Sequence, residues 1–183
     1  MFRRRLSAYT LIMSADDQLL KDFQKDSLNV VESLLEILDQ CEGRVDCIKR
    51  LEEYGLLVDR IMGGARSIGT ILGDPHGNLM PLGDYTAVLK TMGYRSAQIA
   101  KDQKLYELVV AVLQDATECL KDLIEHLFDP QLKVKDVLPT TLIDRVKWVS
   151  SQFEALGHQD KKSLKAEKMD QTEIDDLLKK LGL

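Results

Sequence analysis

From Ser14 to Gly157 the apolar residues return every third or fourth position, and the four prolines fall only where that rhythm breaks. Steps of three and four place side chains on one face of an α-helix. Proline inside a helix costs about 3 kcal/mol, so Pro75, Pro81, Pro130 and Pro139 mark the joints between long helices. The pattern predicts a first helix starting near Ser14, capped with Asp17 three residues on. Its apolar stripe is Leu19, Leu20, Phe23, Val30, Val31, Leu34 and Leu38, and Glu42-Gly43-Arg44 ends it. A second helix carries Ile48, Leu51, Tyr54, Val58, Ile61, Met62, Ala65, Ile68 and Leu72, followed by a breaker-rich loop from Gly73 to Pro81. The third carries Tyr85, Val88, Leu89, Met92, Ser96 and Ile99. The fourth runs from Leu105 to Leu127 almost without a lapse, and a fifth follows Pro139, capped by Thr140 or Thr141 and stopped by Gly157. No alternating runs joined by tight turns suggest strands. The expected fold is all-α: an antiparallel four-helix bundle over residues 14–156 that includes a flanking fifth helix. Residues 1–13 form an N-terminal arm, 157–168 a flexible linker and 169–183 a separate amphipathic helix.

Composition narrows the function classes. The 183 residues carry a formal net charge of −5, and phosphate binding wants a clustered basic face, so no nucleic acid is expected as partner. The one dense basic run, Arg3-Arg4-Arg5, reads as a solvated, frayed terminus. No apolar stretch reaches the roughly 18 residues of a membrane span, which predicts a cytoplasmic protein without membrane insertion. Cys41, Cys47 and Cys119 are an odd count with no metal-knuckle spacing, and read as packed thiols. No metal or cofactor is expected.

The tail is the most specific feature. Residues 157–168 have one large apolar side chain, Leu164, too little to offset the entropy of ordering. Then Ile174, Leu177, Leu178 and Leu181 stand at i, i+3, i+4 and i+7. Asp170 and Glu173 have capping-box spacing, the lysines lie in the last turn, and Gly182 closes the segment. So short a helix is marginal alone in water and must dock. It docks either on its own bundle or in the groove of a partner, two outcomes that look identical in sequence.

Met169-Asp-Gln-Thr-Glu-Ile-Asp-Asp-Leu-Leu178 resembles the CheY-binding segment of the flagellar switch protein FliM, a pattern close to Leu-Ser-Gln-x-Glu-Ile-Asp-x-Leu-Leu. Asp175-Asp-Leu-Leu-Lys-Lys-Leu-Gly-Leu183 resembles the C-terminal peptide of the CheY phosphatase CheZ. The resemblance implies a chemotaxis or motility accessory protein that binds a CheY-like response regulator through Met169, Asp170, Gln171, Glu173, Ile174, Asp175, Leu177, Leu178 and Leu181. Any Mg2+ would be carried by the regulator. The body resembles, in layout, the histidine phosphotransfer (HPt) domain at the front of the kinase CheA. That family has His-x-x-Lys-Gly late in its second helix. Here Arg66 stands where the lysine would, and the histidine position falls on Gly63, which has no nucleophile. The resemblance therefore implies no histidine phosphotransferase. His76, His126 and His158 lack the motif and read as surface residues.

Gly63, Gly64 and Gly69 inside a helix each cost nearly 1 kcal/mol relative to Ala. Either a neighbouring helix packs closely there, or Gly63, Gly64 and Arg66 form a docking face for a receiver domain. CheZ-type enzymes set a Gln one turn after an Asp to position water at the regulator's aspartyl phosphate, chemistry that needs little more than an amide and an acid. No Asp-x-x-x-Gln occurs. Glu36 and Gln40 are the nearest match, and Gln98 and Gln103 on the third helix, with Asp102, are further exposed amides. Whether the chain is a CheY-phosphate phosphatase, a non-catalytic adaptor, or a structural bundle that packs its own tail stays open at this level, as does a homodimer.

Overall fold

The computed structural model describes residues 2–99, 102–157 and 171–183, with side chains described for 15–99, 102–153 and 174–183. The described chain is all-helical. Its α-helices are α1 (Phe2–Cys41), α2 (Arg50–Leu72), α3 (Leu79–Ser96), α4 (Gln103–Glu125), the single turn α5 (Val134–Val137), α6 (Thr140–Gly157) and α7 (Gln171–Lys180), with a 3-10 turn at Val45–Cys47. α1 packs on α2 and α4, α2 on α3, and α3 on α4. α6 lies on α4, and α7 on α3 and α6.

Three boundaries differ from expectation. α1 starts at Phe2 rather than near Ser14, because nothing between Phe2 and Cys41 breaks a helix and Ser14 sits within it. α3 starts at Leu79, so Pro81 lies inside its first turn, where the missing N–H would have no intrahelical partner anyway. The turn α5 carries too short a pattern to read. Along α1 the stripe Leu20, Val31, Leu34, Ile37, Leu38 and Cys41 is buried. Leu19, at 40% exposure, lies on the flank, and Phe23 and Val30 are only half-buried.

The tightest contact joins α2 to α3. A Cβ on Gly93 would lie 2.8 Å from Tyr54 Cδ1 and 3.1 Å from the backbone nitrogen of Gly55. A Cβ on Gly83 would meet Arg66 Cγ at 2.7 Å, and one on Gly69 would meet Leu79 Cβ and Met80 Sδ at 3.2 Å. As one number of each pair rises the other falls, so the helices run antiparallel. Two ion pairs cross the same seam, Lys90 to Asp59 at 2.7 Å and Arg66 to Asp84 at 3.0 Å.

The loop after α2 is built to turn. Gly73 adopts φ +71° and Asp74 φ 47°, and both of their N–H groups donate to the Gly69 carbonyl. The Asp74 carboxylate accepts from Leu79 N and Met80 N, each at 3.0 Å, capping α3. The Asn78 amide donates to the carbonyls of Leu127 and Asp129 beyond α4. Three buried tyrosines satisfy their hydroxyls. The Tyr54 and Thr117 hydroxyls share a hydrogen bond of 2.9 Å, Tyr85 donates to the Ala116 carbonyl, and Tyr106 lies 2.9 Å from the carbonyls of Cys41 and Arg44 at the end of α1.

Gly93→Ala forces the two backbones apart and is expected to lower stability by about 1–3 kcal/mol. Gly63→Ala enters open space and is expected to raise it by about 0.5–1 kcal/mol. Urea denaturation of the two variants measures both signs, and equal effects would contradict this account of the seam.

Candidate docking helix and its groove

The sequence points first to α7. Ile174 is 0% exposed, Leu178 3%, and Leu177 and Leu181 7% each. All four sit in the same core as the rest of the chain, against α3 and α6. Of the two outcomes left open by periodicity, the structure shows the intramolecular one. The surface under α7 is supplied by α3 and α6, which are far apart in sequence, so it has no sequence signal of its own. Asp176 pairs with Lys179 at 3.6 Å on the outer face. The expected Gly182 stop is present: with φ +78° it donates to the Lys179 carbonyl, and Leu183 N donates to the Leu178 carbonyl. Met169 and Asp170 lie outside the described residues. Gln171 and Glu173 belong to α7, and their side chains lie outside the described set, as does the capping box expected between Asp170 and Glu173.

The phosphotransfer-like stretch divides three ways. Gly64 is explained by packing, since a Cβ there would lie 2.7 Å from the Phe23 ring, and Gly69 by Leu79 and Met80. In both cases the neighbour is a side chain rather than another backbone. Gly63 has nothing within 4 Å of an added Cβ and faces solvent, so packing does not account for it. Arg66 has a partner within the chain. Its guanidinium donates to Asp84 on α3, and its stem covers Gly83.

The candidate amides come from three elements, the end of α1, the turn after α3 and the start of α4. Glu36 and Gln40 are exposed on the last turns of α1. Gln98 is exposed in the turn after α3, and Gln103 opens α4 rather than lying on the third helix. Gln103 donates to Glu107, and Asp102 caps α4 by accepting from Leu105 N. His126 contacts the Asp122 carbonyl through Nδ1, His76 stacks edge-on against Phe128, and His158 lies outside the described residues.

The thiols are free. Burial pushes the Cys41 thiol up and, with the nearby acids Asp122, Asp115 and Glu118, raises that of Cys119 to about 11. Among the described residues no group of three or more His, Cys, Asp or Glu side chains could hold a metal ion, and no helix is long and apolar enough to cross a membrane. No protein family, curated protein or solved structure matches the chain.

Sequence reasoning missed the α2–α3 glycines Gly55, Gly83 and Gly93. Their spacing within each helix was visible, but their partners become neighbours only when the two helices are aligned antiparallel. It also missed the carboxylates that fix the cations, Asp84 and Asp59, for the same reason.

A thiol held protonated by the fold contributes stability that is complete below its unfolded pKa, 9.0, and lost as pH rises through the folded value, about 11. Alkylation of Cys119 in the native protein should therefore keep accelerating up to pH about 11. A rate that levels off near pH 9 would show that the thiol is not shielded as described.

Proposed function

We propose that the chain is a chemotaxis-type interaction protein in which α7 is a reversible latch. It rests on α3 and α6 and, once released, presents Ile174, Leu177, Leu178 and Leu181 to the groove of a CheY-like receiver in the cytoplasm. The helices α1 to α4 are read as an antiparallel four-helix bundle of the HPt type, without its histidine. One observation carries the proposal. A ten-residue helix, too short to persist alone, holds its whole aliphatic face against a surface and is joined to the body by residues 158–170. The likeness of residues 169–183 to CheZ and FliM peptides names the partner class. Binding and latching use the same four side chains, so they exclude one another.

The magnitudes suit a latch. Four buried aliphatic side chains supply roughly 6–12 kcal/mol gross, an upper bound, and ordering the segment takes back several kcal/mol. Read from its sequence as a flexible linker, the stretch 157–168 would have a root-mean-square span of about 20 Å and give a millimolar effective concentration. A contact of micromolar intrinsic strength is then closed about a thousandfold over open. The partner must overcome that bias, through the phosphorylated regulator's tighter groove or a second contact on the bundle.

The burial of Ile174 at 0% also favours a second reading, in which α7 is a permanent structural element. Titrating a synthetic Met169–Leu183 peptide against CheY-type receivers, with and without a phosphoryl mimic, separates the two. The latch predicts micromolar peptide binding, strengthened by the mimic, and full-chain binding about 1000-fold weaker than the peptide's. A peptide that ignores every receiver leaves α7 structural. Deleting Met169–Leu183 is expected to lower stability by only a few kcal/mol and leave a folded body. Collapse of the fold would argue for the structural reading.

Catalysis is a separate question within the proposal. If the chain speeds loss of the regulator's phosphoryl group, decay of the phosphorylated regulator accelerates in its presence, and Gln40→Ala or Gln98→Ala removes the acceleration. An unchanged decay rate identifies an adaptor or sequestering protein.

A further inference from the structure

α1 is much longer than its neighbours. Its 40 residues span roughly 60 Å at 1.5 Å per residue, against roughly 35 Å for the 23 residues of each of α2 and α4. The contacts show where those neighbours stop. Gln24 donates to the Ile124 and Glu125 carbonyls at the end of α4. Phe23 lies over Gly64, and Leu19 shares a groove with Ile68, one turn before the end of α2. N-terminal to Ala15, α1 continues past both ends. The buried stripe Leu20, Ser27, Val31, Leu34 and Leu38 advances in steps of three, four and seven. The same register carried backward falls on Met13, Tyr9, Leu6 and Phe2. In sequence, the core-type stripe thus continues to Phe2.

Beside the covered part lies an open groove of about 300 Å³ between α1 and α2. Leu19, Phe23, Ile61 and Ile68 supply its apolar wall, and the exposed carboxylates Asp22 and Asp26 its rim on the α1 side. Arg60 stands on the α2 side. The chain's own residues 2–14 cannot turn back into this groove, because they continue the same helix.

We propose that two copies associate about a two-fold axis, the Phe2–Met13 segment of each lying antiparallel in the α1–α2 groove of the other. Charge selects this occupant. Arg3, Arg4 and Arg5 head the segment, while residues 15–30 of α1 carry four aspartates, Asp16, Asp17, Asp22 and Asp26, against two lysines, Lys21 and Lys25. An antiparallel overlay that brings the arginines beside Asp22 and Asp26 sets Tyr9 against Leu19. The two contacts are identical by symmetry, so the assembly closes as a dimer and does not propagate.

Sedimentation equilibrium of the full chain tests it. The expected result is a dimer that weakens as salt screens the contacts. Asp22→Lys with Asp26→Lys should give monomers, and so should Arg3→Glu with Arg4→Glu and Arg5→Glu. Mixing the two charge-reversed proteins should restore a dimer, because each groove then meets the opposite charge. Unchanged far-UV circular dichroism of each variant shows that folding is retained. A second measurement reads register. Tyr9→Cys and Leu19→Cys in one chain lie roughly 15 Å apart along the helix, so a disulfide between them must join two copies, and oxidation should yield it. A wild-type chain that stays monomeric at every concentration overturns the proposal. So does a dimer indifferent to both reversals, or a monomer whose arginines instead bind phosphatidylserine vesicles.

Discussion

The architecture depends on how closely α2 approaches α3. Where Gly93 faces Gly55 the two backbones come near enough that a single methyl group would strike a main-chain nitrogen. That proximity lets Tyr54 and Tyr85 reach α4 with their hydroxyls and still bury their rings. It also brings Asp59 to Lys90 and Asp84 to Arg66 across the rim of the seam. These pairs are partly solvated and add little to stability, but they hold the antiparallel register that apolar contacts alone would leave loose. On the other side of α2, an open groove lies between α1 and α2, lined by Leu19, Phe23 and Ile68.

The same seam bears on the tail. α7 rests on α3 and α6, so its groove exists only because α3 is fixed by α2 and α6 is fixed on α4, in part by the ion pair of Arg145 with Asp115. A helix recruited to a surface of this kind is held by apolar area, with no hydrogen-bond ladder to set its place. Such contacts are strong in sum and indifferent to the identity of the partner. Packing of this kind holds Ile174, Leu177, Leu178 and Leu181 in the chain's own core.

Arg66 and Gly63 carry different weight once packed. In linear order they are three residues apart on one helix, and the HPt resemblance joins them in one motif. In space Arg66 covers Gly83 and donates to Asp84, whereas Gly63 faces solvent. The candidate amides come from different elements: Gln40 is at the end of α1, Gln98 in the turn beyond α3, and Gln103 is engaged with Glu107.

Much of the helix plan was legible because periodicity and capping act over a few residues. The buried stripes of α2 and α4, the stop at Gly73 and the closing Gly182 are all local properties of the chain. Helix starts were less legible: Ser14 signals a cap but does not compel one, and Pro81 fits a first turn as well as a loop. What the sequence by itself determined is an all-helical chain with a tail helix obliged to bury one face. Only the tertiary structure decided which helices meet through glycine, which acid pairs with Arg66, and that the tail's face rests on its own chain. The physical reason is that hydrogen bonds within a helix link residues four apart, whereas apolar attraction has no direction. The choice among possible neighbours is made only when shapes and charges distant in sequence are brought together.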